Sequence, residues 1–163
     1  MRIRYLAAAA LVGALCAVAV TVAIGASSSN PGTLFAVGLG KKEVSPTTGE
    51  KGAGDRNGRA GFTAVIDGTE FCWGYAAKNV NGTPSGAHIH RGGPDRNGPV
   101  VIPLDAATSF DPGAASGCET ITSELAGKIR RNPAKYYFNL HTTGQTYFGD
   151  MRGQLQPAAV SSR

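Results

Sequence analysis

The chain has 163 residues, of which 23 are glycine, 9 are proline and 17% are charged, with a formal net charge of +5. This length holds one domain around a single core, and frequent turn formers with few charged helix formers point to an all-β fold. The composition excludes a coiled coil, a helical bundle, a multi-pass membrane protein and a disordered chain, and without a contiguous basic stripe no nucleic-acid partner is expected. Arg2 and Arg4 stand before an uncharged stretch at residues 6–24, rich in Ala, Val and Leu, which ends in small residues. This is the pattern of a secretory signal peptide over residues 1–26. The stretch is also long enough to span a bilayer, so an uncleaved N-terminal anchor is the alternative, and the sole membrane contact expected. In both cases the folded part lies outside the cytoplasm, secreted or anchored by residues 6–24. Its charge is then +3, because two basic residues belong to the leader. Cys16 also falls in the leader. The remaining Cys72 and Cys118 are read as a disulfide, an even pair in an oxidising compartment.

Residues 27–32 form a short tether. Residues 34–39 are apolar enough for a first strand, and residues 41–59 form a long polar loop. Phe62, Ala64 and Ile66 alternate with Thr63, Val65 and Asp67, the spacing of a strand. Asp67-Gly68 marks a hairpin, after which Phe71, Trp73 and Tyr75 line one face of the returning strand. A turn at 81–84 leads to strands at 87–90 and 99–104, and residues 105–117 read as loop. The helix is expected over 123–131, capped by Ser123 and ended by Asn132-Pro133. Strands at 136–142 and 150–155 close the set, followed by a disordered tail at 157–163. Seven or eight short strands between frequent turns suggest a β-sandwich. Asp-Arg-Asn-Gly occurs at 55–58 and again at 95–98. Both copies carry too few acidic oxygens for a calcium loop and are read as turns.

Three ordered motifs carry a family resemblance. Phe35-Ala36-Val37-Gly38-Leu39-Gly40 is followed by Glu43-Val44-Ser45-Pro46. Ala87-His88-Ile89-His90-Arg91-Gly92 precedes Asn97-Gly98-Pro99-Val100-Val101. Asn132-Pro133 leads to Tyr136-Tyr137-Phe138-Asn139-Leu140-His141-Thr142 and to Gly149-Asp150-Met151-Arg152-Gly153-Gln154-Leu155. Over residues 33–156 the sequence resembles a CHRD domain, the module named after chordin. Asp150 stands where Glu is usual, and Tyr147-Phe148 lacks the common Pro. The resemblance implies secretion and a Greek-key β-sandwich or partly closed barrel with one short helix, similar to superoxide dismutase. In chordin such modules belong to a growth-factor antagonist, a partner that a stand-alone copy need not share.

All three histidines, His88, His90 and His141, fall inside these motifs. On a strand His88 and His90 share one face and Ile89 takes the other. Tyr136, Phe138 and Leu140 form the apolar face of the later strand, so Tyr137, Asn139 and His141 face away from the core. If the two strands are neighbours, three imidazoles converge on one spot. Imidazole suits copper and zinc, with affinity falling as pH drops through about 6.5 and the rings protonate. The His-Ile-His segment is similar to the copper-ligating strand of copper/zinc superoxide dismutase, but a fourth histidine and further zinc ligands are missing. Asp150 and Arg152 share a face and are candidates to surround the metal. An ordinary surface or cross-strand ion pair is the plainer role for Arg152, and Met151 is placed in the core. The first reading is therefore an extracytoplasmic metal-binding module, copper before zinc. The second is a structural or adhesive module that binds an extracellular protein or polysaccharide, its histidines bracing the fold. A copper oxidoreductase of the superoxide-dismutase type ranks third, and no catalytic residue is assigned.

Overall fold

Period-two alternation lays down much of the sheet. In β2 (Arg59–Asp67) Ala60, Phe62, Ala64 and Ile66 turn inward, while Arg59, Thr63, Val65 and Asp67 stay exposed. Strand β3 (Glu70–Lys78) repeats the pattern with Phe71, Trp73 and Tyr75. The two are joined by a tight turn in which Gly68 takes φ of +55°, a backbone conformation that suits the strand twist and favours glycine. The structure is a computed structural model that describes residues 32–105, 113–144 and 149–158. The leader, most of the tether and the far end of the tail lie outside the described residues.

The remaining strands are β1 (Gly32–Leu39), β4 (Pro84–Arg91), β5 (Val100–Pro103), β6 (Ala114–Thr120), β7 (Tyr136–Thr142), β8 (Met151–Gln154) and β9 (Gln156–Pro157). They form one antiparallel sheet in the order β5-β4-β7-β8-β1-β2-β3-β6, with β9 added beside β1. The sheet curls until it nearly closes into a barrel, so the partly closed alternative describes the fold. Its interior is filled by aromatic and aliphatic side chains. Phe62 stacks on Phe138 with ring centroids 4.5 Å apart, and Tyr75 packs on Phe138 at 5.7 Å. Helix α1 (Ser123–Arg131) adds Ala126 and Ile129 to the same core. Each large apolar side chain buried in this way contributes about 1.5–3 kcal/mol.

Several boundaries differ from the sequence expectation: β1 starts at Gly32, in the expected tether, and β4 starts at Pro84, in the expected turn. Three further differences have a clear physical cause. Residues 114–117 were expected in a loop but belong to β6, whose seven residues pair with β3 from Glu70↔Thr120 to Ala76↔Ala114. Their Ala and Gly content hides the strand, because pairing to β3 decides it rather than intrinsic preference. The helix cap is Thr122, one residue before the expected Ser123, and its hydroxyl accepts from the Leu125 N–H at 3.1 Å. Residues 157–158 were expected in a disordered tail. Instead Pro157 pairs with Leu34 and Ala158 N–H donates to Thr33 O, because β8 meets β1 only at Leu39 and leaves the rest of that edge free. Both Asp-Arg-Asn-Gly copies are turns. Asp55 accepts from the N–H groups of Asn57, Gly58 and Asn81, and Asp95 pairs with Lys51 at 2.7 Å.

Cys72 and Cys118 are directly opposite each other in the β3/β6 register and are bonded. They close a separation of 46 residues, worth about 4 kcal/mol in the chain-entropy account. The Cys72→Ser/Cys118→Ser double variant should therefore lose about 4 kcal/mol of unfolding free energy in urea denaturation. A denaturation midpoint equal to that of the wild type would contradict a stabilising bond.

Candidate metal centre

The register of β4 against β7 assembles the site. His88 lies opposite Asn139, His90 opposite Tyr137, and His141 opposite Gly86. Ala87 and Ile89 take the core face of β4, which leaves both of its histidines half-buried on the outer face. Gly86 presents no side chain to His141, so that imidazole leans diagonally towards His88. Ring centroids are 5.2 Å apart for His88 and His141 and 5.7 Å for His88 and His90. One ring nitrogen from each of the three lies within 4.8 Å of the others. The sequence expectation that all three converge is met in the geometry.

Two of the rings hold nitrogen atoms with nothing to bond. His90 Nδ1 lies 2.8 Å from the Gly98 carbonyl. A carbonyl can only accept, so Nδ1 carries the proton and Nε2 keeps its lone pair. That Nε2 is buried without a partner, as is His88 Nδ1. The loop supplying Gly98 O fits because Gly98 has no Cβ, which would strike the Arg91 carbonyl. A cavity of about 170 Å³ opens beside His90 and His141, walled by Glu43, Tyr137, Asn139 and Gly98.

His90 belongs to a stack of three side chains. Its ring is parallel to that of Tyr137, at 5° with centroids 4.8 Å apart, and the Arg152 guanidinium carbon sits 3.5 Å from the Tyr137 centroid. Arg152 also donates to Gly93 O and Arg96 O at 2.7 Å each and to Asn97 Oδ1 at 3.1 Å. It therefore pins the loop that holds His90 in its tautomer. Asn97 continues the chain by donating to Val44 O at 2.9 Å, and Asn139 donates to the buried Glu43 carboxylate at 2.6 Å.

These contacts correct the expected role of Arg152. It is 2% exposed and makes no ion pair among the described residues, because main-chain carbonyls and an aromatic face take the place of a carboxylate. Asp150 is not drawn into the imidazole cluster either, which contains no carboxylate. It is fully buried, and neither of its oxygens has a hydrogen bond of good geometry, although the Thr142 N–H and hydroxyl lie close enough to act on it. The Thr142 hydroxyl beside it gives its proton to Asn81 O at 2.6 Å. Burial raises the Asp150 pKa, with the Thr142 groups lowering it and Asp55 raising it further. Met151 is in the core, as expected.

Burial lowers the pKa of all three histidines. For His141 the value falls to about 4, with His88 and His90 adding repulsion. For His88 burial outweighs the attraction of Asp105, and for His90 it outweighs the bond to Gly98. All three rings are accordingly neutral at physiological pH, the state in which imidazole binds a metal. Tyr137, Asn97, Gly98, Asn139 and Glu43 escaped assignment in the sequence. Alternation in 136–142 does put Tyr137 and Asn139 on the face of His141, but the loops that bury this face come from distant parts of the chain.

The pattern of the CHRD domain matches residues 34–155, most of the chain and nearly the span on which the motifs were found. Comparison with curated proteins and with solved structures gave no match. The chain belongs to the CHRD domain family.

Proposed function

We propose that this protein is an extracytoplasmic metal-binding module that holds one copper ion on His88, His90 and His141, with zinc as the alternative ion. The observation that carries the reading is the convergence of three neutral imidazoles whose nitrogens lie within 4.8 Å of one another. Two of these rings have buried nitrogens without partners. A metal at bonds of about 2.0–2.1 Å needs ligand nitrogens about 3.3–3.5 Å apart, a change that small ring rotations supply. The protonated Nδ1 of His90, held by a carbonyl, is the arrangement that orients a metal-binding histidine. No carboxylate joins the cluster. An all-imidazole set suits copper and zinc alike, so the choice between the two ions rests on titration. Export of the domain, by a leader over residues 1–26 or by an anchor at 6–24, is part of the proposal. The Cys72–Cys118 bond supports it, since such bonds persist in oxidising compartments.

The bracing alternative, a structural or adhesive module for an extracellular protein or polysaccharide, draws support from His90 alone. That ring is stacked on Tyr137 and bonded to Gly98 O. His88, with an unpartnered buried Nδ1, braces nothing through that atom. A catalytic copper role rests only on the three-ligand count, which leaves a coordination position for an exogenous ligand.

Copper titration of the purified protein, followed by calorimetry, should show one ion per chain. His88→Ala, His90→Ala and His141→Ala should each weaken binding by at least about tenfold, the loss of one ligand bond or more in free energy. Wild-type protein that binds no copper, or folded alanine variants that bind as well as wild type, would transfer the assignment to the bracing role.

Proton linkage supplies a second test, on metal-free protein in chelator. His141 titrates near pH 4 in the fold and near 6.5 when unfolded, so between those values the unfolded chain binds more protons. Stability should thus fall as pH drops through this window, by roughly 3 kcal/mol at most. Glu43 and Asp150, whose pKa values burial raises, act in the opposite sense. The comparison is therefore wild type against His141→Gln across the same range. The stability difference between them should change in favour of the variant as pH falls towards 4; a difference independent of pH would contradict a buried, neutral His141. Metal affinity should likewise persist below the pH of about 6.5 expected for unperturbed imidazoles.

A further inference from the structure

Arg152 is a buried cation short of negative charge. Its guanidinium spends three of five N–H groups on Asn97, Gly93 and Arg96. The two carboxylates that act on it at longer range, Glu43 and Asp95, are committed elsewhere. Glu43 accepts from Asn139 and Val44, and Asp95 pairs with Lys51. An unpaired buried cation is costly, and the Tyr137 face and two carbonyls offset only part of that cost.

Arg152 also lines a cavity of about 440 Å³, distinct from the one beside the histidines. This lies within the range of about 300–1,000 Å³ found for small-molecule sites. Lys42 adds a second cation, while Pro94, Ala134 and Leu155 contribute apolar surface. Asp95 also lines the cavity, and its carboxylate is already paired with Lys51. Gln154 completes the wall with an unused acceptor. Its Nε2 is fixed by donating to the carbonyls of Gly92, Ala134 and Tyr136. That fixes Oε1 in place, and this oxygen is buried with no donor. Two cations without carboxylate partners among the described residues, one acid neutralised by Lys51, an orphaned acceptor and apolar walls define a complementary ligand.

We propose that this cavity binds a small organic carboxylate with an apolar body and one hydrogen-bond donor. The carboxylate pairs with Arg152 and Lys42, the body lies against Pro94, Ala134 and Leu155, and the donor reaches Gln154 Oε1. The site is separate from the three histidines and stands whether or not they hold a metal. Lactate, 3-phenyllactate and 4-hydroxybenzoate, each titrated against its own amide, test it by calorimetry with the purified protein. At least one acid should bind one-to-one and at least about tenfold tighter than its amide, the loss expected when a charge-assisted contact is removed. Arg152→Met would also disturb the fold, so the diagnostic variants are at the rim. Lys42→Glu should weaken the acid by at least about tenfold, and Ala134→Trp should fill the cavity and abolish binding, both with unchanged thermal midpoints. The proposal is overturned if no acid binds saturably, if acid and amide bind alike, or if the rim variants bind as wild type does.

Discussion

The pairing of β7 with β4 is the constraint on which both the core and the candidate site depend. One register sets Ile89 against Phe138 on the inner face, and His88 and His90 against Asn139 and Tyr137 on the outer one. A slip of one residue would exchange the faces, turning imidazoles into the barrel and Phe138 and Leu140 out of it. The apolar side therefore enforces the polar side. Phe138 is fully buried and touches the rings of Phe62 and Tyr75, so losing its place would cost about 3–5 kcal/mol. No single hydrogen bond on the outer face contributes as much. The histidines are held in register by hydrophobic burial that they do not share.

A second layer covers the outer face and gives it its chemistry. Residues around Glu43 and the loop from Gly93 to Gly98 lie over β7 and β8, and polar contacts hold them there. Glu43 is tied to Asn139, Asn97 to Val44 and Arg152, and Arg152 to two loop carbonyls. Hydrogen bonds to charged groups contribute about 1.5–3 kcal/mol each, but removing one partner leaves a buried charge exposed to no solvent and no partner. The network is accordingly a unit. Its effect on the site is indirect: by fixing the loop it fixes Gly98 O, and by supporting Tyr137 it fixes the plane of the His90 ring.

Much of the frame can be read directly from the residues. Alternating Phe62, Ala64 and Ile66, the Asp67-Gly68 turn and the helix before Asn132-Pro133 each carry their own local signal, and the structure follows them. Strand β6 carries none, since Ala114, Ala115, Ser116 and Gly117 are poor strand formers until β3 provides a partner. The histidine cluster was legible for the same reason as the strands, because period two fixes which side chains share a face. Arg152 was not. A charged residue in a short strand reads as surface, and only the loops arriving from Glu43 and Gly93 bury it. Long-range coverage of this kind leaves no trace in local spacing. Asp150 shows the same limit: period two pairs it with Arg152 on one face, but its burial without a hydrogen bond of good geometry comes from the fold.

The central claim is that the three imidazoles are metal ligands whose nitrogens are chosen by the fold. Nitrogen-15 resonances of the histidine rings, recorded before and after loading with one equivalent of a diamagnetic ion, copper(I) or zinc(II), test it most directly. The account predicts that all three rings shift together, with His90 coordinating through Nε2 while its Nδ1 keeps the proton held by Gly98 O. Ring resonances that do not respond to the ion, or coordination of His90 through Nδ1, would contradict it.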